Sequence, residues 1–259
     1  MSIIMPAYNE EDRIISTLND FAQWVQKNPK NEIELIIVND GSTDRTEEII
    51  QSFIDMYSWI RLIKTDHIGM MNAIFTGMKK AENNLVGTLE ADSPVNPQYF
   101  IAFLDYIDEN DIIIGSRFLG KKVLGKSLAR KFISKMNSLL FTFLFSSGIK
   151  DSQISFRLYK KSCIDKILPM LNLDHDGFKS SEIIVKAYGL DYKMKEIAVE
   201  YFHDEDSKAV PGGLKTIKVT FFALLAIFQL YFQSIREYRS GIFINCPVNM
   251  KKLIDFIFK

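Results

Sequence analysis

Cysteine is nearly absent: the 259 residues contain two, Cys163 and Cys246, far apart and without metal-ligand spacing. That excludes a disulfide framework and a thiolate metal centre, and it fits a reducing compartment. No charge of one sign dominates. Lys and Arg number 32 and Asp and Glu 32, so nothing argues for a nucleic-acid partner. The chain enters "SIIMP" with no charged, apolar and small-residue leader, so no signal peptide is expected. Internal repeats and low-complexity tracts are also missing. What is present is apolar: 47% of residues are hydrophobic, enough for a sizeable core and too many for a disordered chain.

Strand-like apolar runs alternate with helical periods. "SIIMP", "IELIIV", "IRLIK", "LVGTL" and "DIIIG" read as strands. Between them Ile14, Leu18, Phe21 and Val25 repeat at helical spacing, as do Ile49, Ile50, Phe53, Ile54 and Tyr57. Further helices are expected over 70–81 and 98–106. The alternation predicts an α/β fold, a mainly parallel sheet covered by helices on both faces. In such sheets ligands bind beyond the carboxyl ends of the strands. "PAYNE", "NDGS", "EAD" and "GSR" all fall at such ends. In "NDGSTD", Asp44 or Thr43 is placed to cap the next helix.

The stretch "LEADSPVNP" holds Glu90 and Asp92 one residue apart after an apolar run. On a strand, alternate residues share a face, so both carboxylates can point the same way. Like charges held close repel unless a cation lies between them, and a hard divalent metal with oxygen ligands suits the pair. The competing reading is a polar strand end whose acids face water. "GKKVLGKS", Gly120 to Ser127, matches the phosphate-loop pattern, but the preceding strand ends near Ile114, whereas in the true motif the strand runs straight into the first glycine. No later strand ends in an acid that could hold magnesium, so the match is set aside.

Residues 112–150 carry eight basic side chains and no acidic one. This is either a solvated basic face or a site for phosphate or an anionic membrane surface. Within it, residues 127–147 read as an amphipathic helix with the stripe Leu128, Phe132, Met136, Leu139 or Leu140, and Phe143, and with Arg130, Lys131 and Lys135 off the stripe. Val219 to Phe232 is apolar throughout and flanked by Lys215, Lys218, Arg236 and Arg239. As a helix it measures about 21 Å, against roughly 30 Å of bilayer hydrocarbon. It is expected to lie in the interface, with a buried core helix as the alternative.

"PAYNEE", "IIVNDGSTDRT", "EADSPVNP", "GSRF", "DSQISFRLYKK" and "EIAVEYFHDEDSK" occur in the order found in family 2 glycosyltransferases, and the chain resembles that family's polyprenyl-phosphate branch from about Ser2 to Lys208. The resemblance implies a GT-A fold over 1–210 and a membrane-associating segment over 211–259. It implies a nucleotide-diphosphate hexose donor (GDP or UDP), Mg²⁺ or Mn²⁺, and a dolichyl or undecaprenyl phosphate acceptor at the cytoplasmic face of a membrane. Residue by residue, Pro6, Ala7, Tyr8 and Glu10 resemble the loop that holds the nucleotide, and Asp40, with Ser42, the second loop contacting base or ribose. Asp92 resembles the metal-binding acid, with Glu90 at the first position of that motif. Arg117 and Arg130 resemble arginines that hold the diphosphate or acceptor phosphate, and Ser207 and Lys208 the end of a loop that closes over the donor. The chain departs from the pattern at Asn39, Glu90 and Pro94, at Ser155 in place of a glycine, and at His203 and Asp206 in place of that loop's arginine and glycine. Histidine lacks the bidentate phosphate contacts of arginine, which bears on donor binding.

The expected reaction is hexose transfer with inversion by in-line attack. A phosphate acceptor is already ionised near neutral pH and needs no general base. A hydroxyl acceptor, as in polysaccharide or glycan synthesis, would need one, and Asp176 in "LDHDGF" is the candidate, unless it is a turn acid capping the following helix. A non-catalytic relative that binds nucleotide or lipid is the third alternative.

Overall fold

A computed structural model describes residues 1–30, 32–92, 94–119, 123–124, 128–171, 179–202 and 214–249; over 123–124, 128–134, 137 and 214–226 it describes the backbone alone. The chain forms two compact units, one of residues 1–113 and 155–168, the other of residues 114–154 and 169–259. The expected boundary near 210 falls outside the described residues.

The first unit begins with β1 (Ser2–Ala7), α1 (Ile14–Lys27), β2 (Glu34–Asn39), α2 (Thr46–Met56), β3 (Ile60–Lys64), α3 (Met70–Lys80), β4 (Leu85–Thr88) and α4 (Tyr99–Ile107). The expected alternation is therefore present. β1 and β2 carry near-continuous buried runs, as strands covered on both faces must. α1 buries Ile14, Leu18 and Phe21, three of the four residues of its expected stripe, together with Thr17, Ala22 and Trp24. Asp44 caps α2 by accepting the Thr46 N–H at 2.9 Å. Burial would raise this carboxyl, but hydrogen bonds from the Thr46 side chain and backbone and from Glu11 outweigh it and hold it below its ordinary value.

β1 pairs in parallel with β2 on one side and β4 on the other, and β2 pairs in parallel with β3. Pro6 sits in this central strand at no cost in hydrogen bonds. The Ile4 carbonyl faces β4, where it accepts the Leu89 N–H, and residue 6 shares that orientation, but the β4 ladder has ended by then. After β5 (Ile112–Ser116), β6 (Val123–Leu124) and α5 (Leu128–Leu144), the chain re-enters the unit as β7 (Arg157–Lys160) and α6 (Lys161–Ile167). β7 runs antiparallel to β4, pairing Leu85 with Lys160 and Thr88 with Arg157, so the order here is β3-β2-β1-β4-β7.

The second unit takes up the chain at Ile114, in β5, and contains β6, α5, α7 (Lys179–Gly189), β8 (Met194–Ala198), β9 (Tyr201–Phe202) and α8 (Leu214–Arg239). α5 buries Phe141 and Leu144, while Met136 and Leu139, members of the expected stripe, are exposed at 49% and 56%. Where its side chains are described, the helix is therefore apolar on more than one side. The segment 219–232 lies inside the 26-residue α8. Where side chains are described it is two-faced: Ile227, Leu230 and Tyr231 are buried, whereas Phe228 and Phe232 are exposed. The described part of the segment is thus core on one side and open on the other. Among the described residues no helix is long and apolar enough to cross a membrane. Residues 240–249 strap this unit together: Gly189 accepts the Ile244 N–H at 2.7 Å, and a Cβ on Gly189 would meet the Phe243 ring at 2.5 Å.

Candidate functional site

From β1 the chain builds β2 and β3 to one side and then crosses over to place β4 on the other. Between β1 and β4 the order reverses, and the crevice beyond their carboxyl ends is where this architecture binds ligands. β1 delivers Tyr8 and Glu10 there and β4 delivers Glu90 and Asp92. Both acids are half-buried. The backbone between them is pinned from α1, where Thr17 Oγ1 donates to the Ala91 carbonyl at 2.6 Å. Ser155 donates its hydroxyl to Glu90 Oε1.

Glu10 belongs to the same field of charge. Burial, foremost, and the charges of Asp92 and Asp44 raise its carboxyl above the ordinary 4.5, against the opposing pull of the Arg13 guanidinium. Arg13 Nη2 lies 2.7 Å from Glu10 Oε2. A carboxyl raised in the fold stabilises it below the ordinary value and loses that contribution as pH rises through the folded value. In metal-free buffer, Glu10→Gln and wild type should therefore melt together near about pH 4, and the variant should melt higher by about pH 8. Thermal unfolding across that range checks this, and a variant that melts lower at the upper end would contradict it.

The donor set suits a hard cation. Glu90 and Asp92 supply carboxylate oxygens, and among the described residues no group of three Asp, Glu, His or Cys could hold an ion unaided.

The β1 and β2 loops form one hydrogen-bonded unit. The Asn9 N–H donates to Ser42 Oγ at 3.0 Å, and the Thr43 N–H donates to Asn9 Oδ1 at 2.8 Å. The Glu10 N–H donates to Thr46 Oγ1 at 2.8 Å, and the Ser42 N–H to Asn39 Oδ1 at 3.1 Å. Asp40, expected at the base or ribose, is 2% exposed. Its carboxylate accepts the Ile68 and Gly69 N–H groups at 2.7 and 2.9 Å and the Thr65 hydroxyl at 2.8 Å. The structure thus gives Asp40 the task of organising residues 65–69. Gly41, at φ +73°, lets that segment approach; a Cβ there would meet the His67 nitrogen at 2.9 Å. His67 in turn stacks on Tyr8, with ring centroids 4.1 Å apart, and Tyr8 is 42% exposed. Sequence reasoning missed His67. Its one signal was its place in the turn "TDHIG" after β3. Thr17 and Ser155 carried no signal as contributors to the site.

In the second unit Arg117 is engaged by Asp151. Its Nε and Nη2 donate to the two carboxylate oxygens at 2.8 and 2.6 Å, and its backbone N–H donates to Oδ2 at 2.9 Å. The guanidinium also lies 5.3 Å from the centre of the Tyr201 ring. Glu196 holds the loop from the other side by accepting the Lys150 and Asp151 N–H groups. Arg117, expected to hold a phosphate, is thus an anchor for the "DSQ" segment. Asp151, the first residue of that motif, was not singled out as its partner. The side chain of Arg130 and all of Asp176 and Lys208 lie outside the described residues.

Acids at the switch point of an α/β sheet, with a fused pair of loops beside them, mark this end of the first unit as its candidate ligand site. Residues 2–168 match the model of glycosyl transferase family 2, and the chain belongs to that family. It is 28% identical over 250 residues to a dolichyl-phosphate beta-glucosyltransferase of Trichomonas vaginalis, covering 92% of this chain and 76% of that protein. It is equally 28% identical to a dolichyl-phosphate beta-glucosyltransferase of Dictyostelium discoideum, covering 89% and 76%. Among solved structures, the mannosyltransferase PcManGT of Pyrobaculum calidifontis in complex with GDP-Man and Mn²⁺ superposes with a TM-score of 0.61 at 16% identity, covering 91% of this chain and 64% of that one. TarS of S. aureus in complex with UDP gives 0.59 at 21%, covering 78% and 59%. These likenesses bear out the GT-A fold.

Proposed function

We propose that this chain transfers a hexose, glucose by analogy with its relatives, from a nucleotide diphosphate to dolichyl phosphate or a similar polyprenyl phosphate. The observation that carries this reading is the similarity to dolichyl-phosphate beta-glucosyltransferases along about nine-tenths of the chain, with the acid pair at the switch point. Tyr8 offers an exposed ring face to a planar base, and the loops bound through Asn9, Ser42 and Asp40 hold that ring in place. Asp92, with Glu90, would hold Mg²⁺ or Mn²⁺, which when bound neutralises charge on the departing diphosphate. Arg130 and Lys208 are the proposed phosphate contacts, and Arg117 acts through Asp151. The acceptor phosphate arrives ionised and requires alignment rather than a base. Supplied with polyprenyl phosphate or the corresponding free alcohol, the enzyme should glycosylate the phosphate alone, and Asp176→Asn should change the rate by less than about threefold. Transfer to the alcohol, lost with Asp176, would establish the hydroxyl-acceptor alternative.

The lipid acceptor suggests where the second unit lies. Met136 and Leu139 on α5 and Phe228 and Phe232 on α8 are large exposed apolar side chains, and Lys135, next to Met136 in the chain, is exposed and basic. Such side chains suit a peripheral or monotopic protein at the cytoplasmic leaflet, where anionic lipids attract each cation by about 1 kcal/mol. Liposome binding should rise with anionic lipid, fall with salt, and be lost in the Phe228→Glu, Phe232→Glu double variant with nucleotide binding retained. Unchanged liposome binding by the double variant would refute this assignment.

A further inference from the structure

At the end of β4 the backbone and the Glu90 side chain are held by different residues. Thr17 fixes the backbone between Glu90 and Asp92 at Ala91. The Glu90 side chain has three rotatable bonds, and its position depends on the contacts its carboxylate makes. The β4–β7 ladder pairs Thr88 with Arg157, and its antiparallel register continued by two residues sets Ser155 opposite Glu90. Ser155 is 6% exposed, and its own backbone is fixed because Thr88 donates its hydroxyl to the Ser155 carbonyl and accepts the Arg157 N–H at 3.3 Å. From that position the Ser155 hydroxyl donates to Glu90 Oε1. We infer that Ser155 is a positioning residue for Glu90: it occupies one carboxylate oxygen and turns the other toward the cation proposed at Asp92. A partner that orients a ligating carboxylate this way typically changes metal affinity ten- to a hundredfold, by about. Glu90 and Ser155 are also two of the positions where the chain departs from the pattern it resembles, and the structure shows that they touch.

The inference rests on the metal reading above and is tested by binding rather than turnover. Free Mn²⁺ is measured by electron paramagnetic resonance while it is titrated into protein with UDP or GDP and no sugar. Ser155→Ala should weaken Mn²⁺ binding by about tenfold, with metal-free nucleotide affinity and thermal midpoint close to wild type. Glu90→Asp, one methylene shorter, should lose the same contact, so the double variant should bind no more weakly than the poorer single variant. Ser155→Thr, which keeps the hydroxyl, should recover most of the affinity. Unchanged or tighter Mn²⁺ binding in Ser155→Ala, or additive losses in the double variant, would overturn the positioning role and leave the metal site intact. Absence of nucleotide-dependent Mn²⁺ binding in wild type would overturn both.

Discussion

Asp92→Asn should abolish sugar transfer while leaving the fold unchanged. The side chain lies at the switch point beside Glu90, and its charge reaches Glu10 strongly enough to help raise that carboxyl. Amide for carboxylate keeps the shape and removes the charge that would hold a divalent ion against the leaving diphosphate. A loss of at least about a hundredfold in rate is expected, corresponding to about 2.7 kcal/mol of transition-state stabilisation. Glu90→Gln should cost less, because the Asp92 carboxylate would still be there to hold the ion. Initial rates with saturating metal, alongside thermal midpoints, check both variants. Equal rates for wild type and Asp92→Asn would remove Asp92 from the metal site.

Arg117→Ala should act on stability before it acts on catalysis. Asp151 is 1% exposed and accepts three hydrogen bonds from Arg117. Removing the guanidinium leaves a buried carboxylate with the backbone N–H as its remaining contact from that residue. Breaking one side of a buried pair costs about 3–5 kcal/mol. Arg117→Lys should recover little of it, since an ammonium cannot make the two-pronged contact. Denaturant titration reads the loss directly. A midpoint like that of wild type, combined with a raised KM for donor or acceptor, would return Arg117 to the role of phosphate ligand.

The parallel half of the fold was legible because β1, β2 and β4 are buried along nearly their whole length and read as apolar runs closed by polar turns. "IELIIV" ending in "NDGS" shows this, and the polar ends of β1, β2 and β4 located the candidate site. β7 was not legible. Its four residues include a buried arginine, and antiparallel placement beside β4 depends on a partner seventy residues away. On α5 the apolar stripe was legible, but not that the helix also buries Phe141 and Leu144. Thr17 and His67 were invisible for a related reason, as were the partners of Ser155 and Asp151, although both lie in a motif the sequence displays. Serine and threonine hydroxyls carry no sequence signature until the fold supplies an acceptor.

Purified protein incubated with Mn²⁺ or Mg²⁺, dolichyl phosphate and a panel of UDP- and GDP-hexoses labelled in the sugar tests the central claim most directly. Label should move into the organic-solvent phase as a lipid-linked hexose for one donor, depend on dolichyl phosphate, and vanish with Asp92→Asn. Label that stays in the aqueous phase with every donor, from folded protein that binds nucleotide, would contradict transfer to a lipid phosphate.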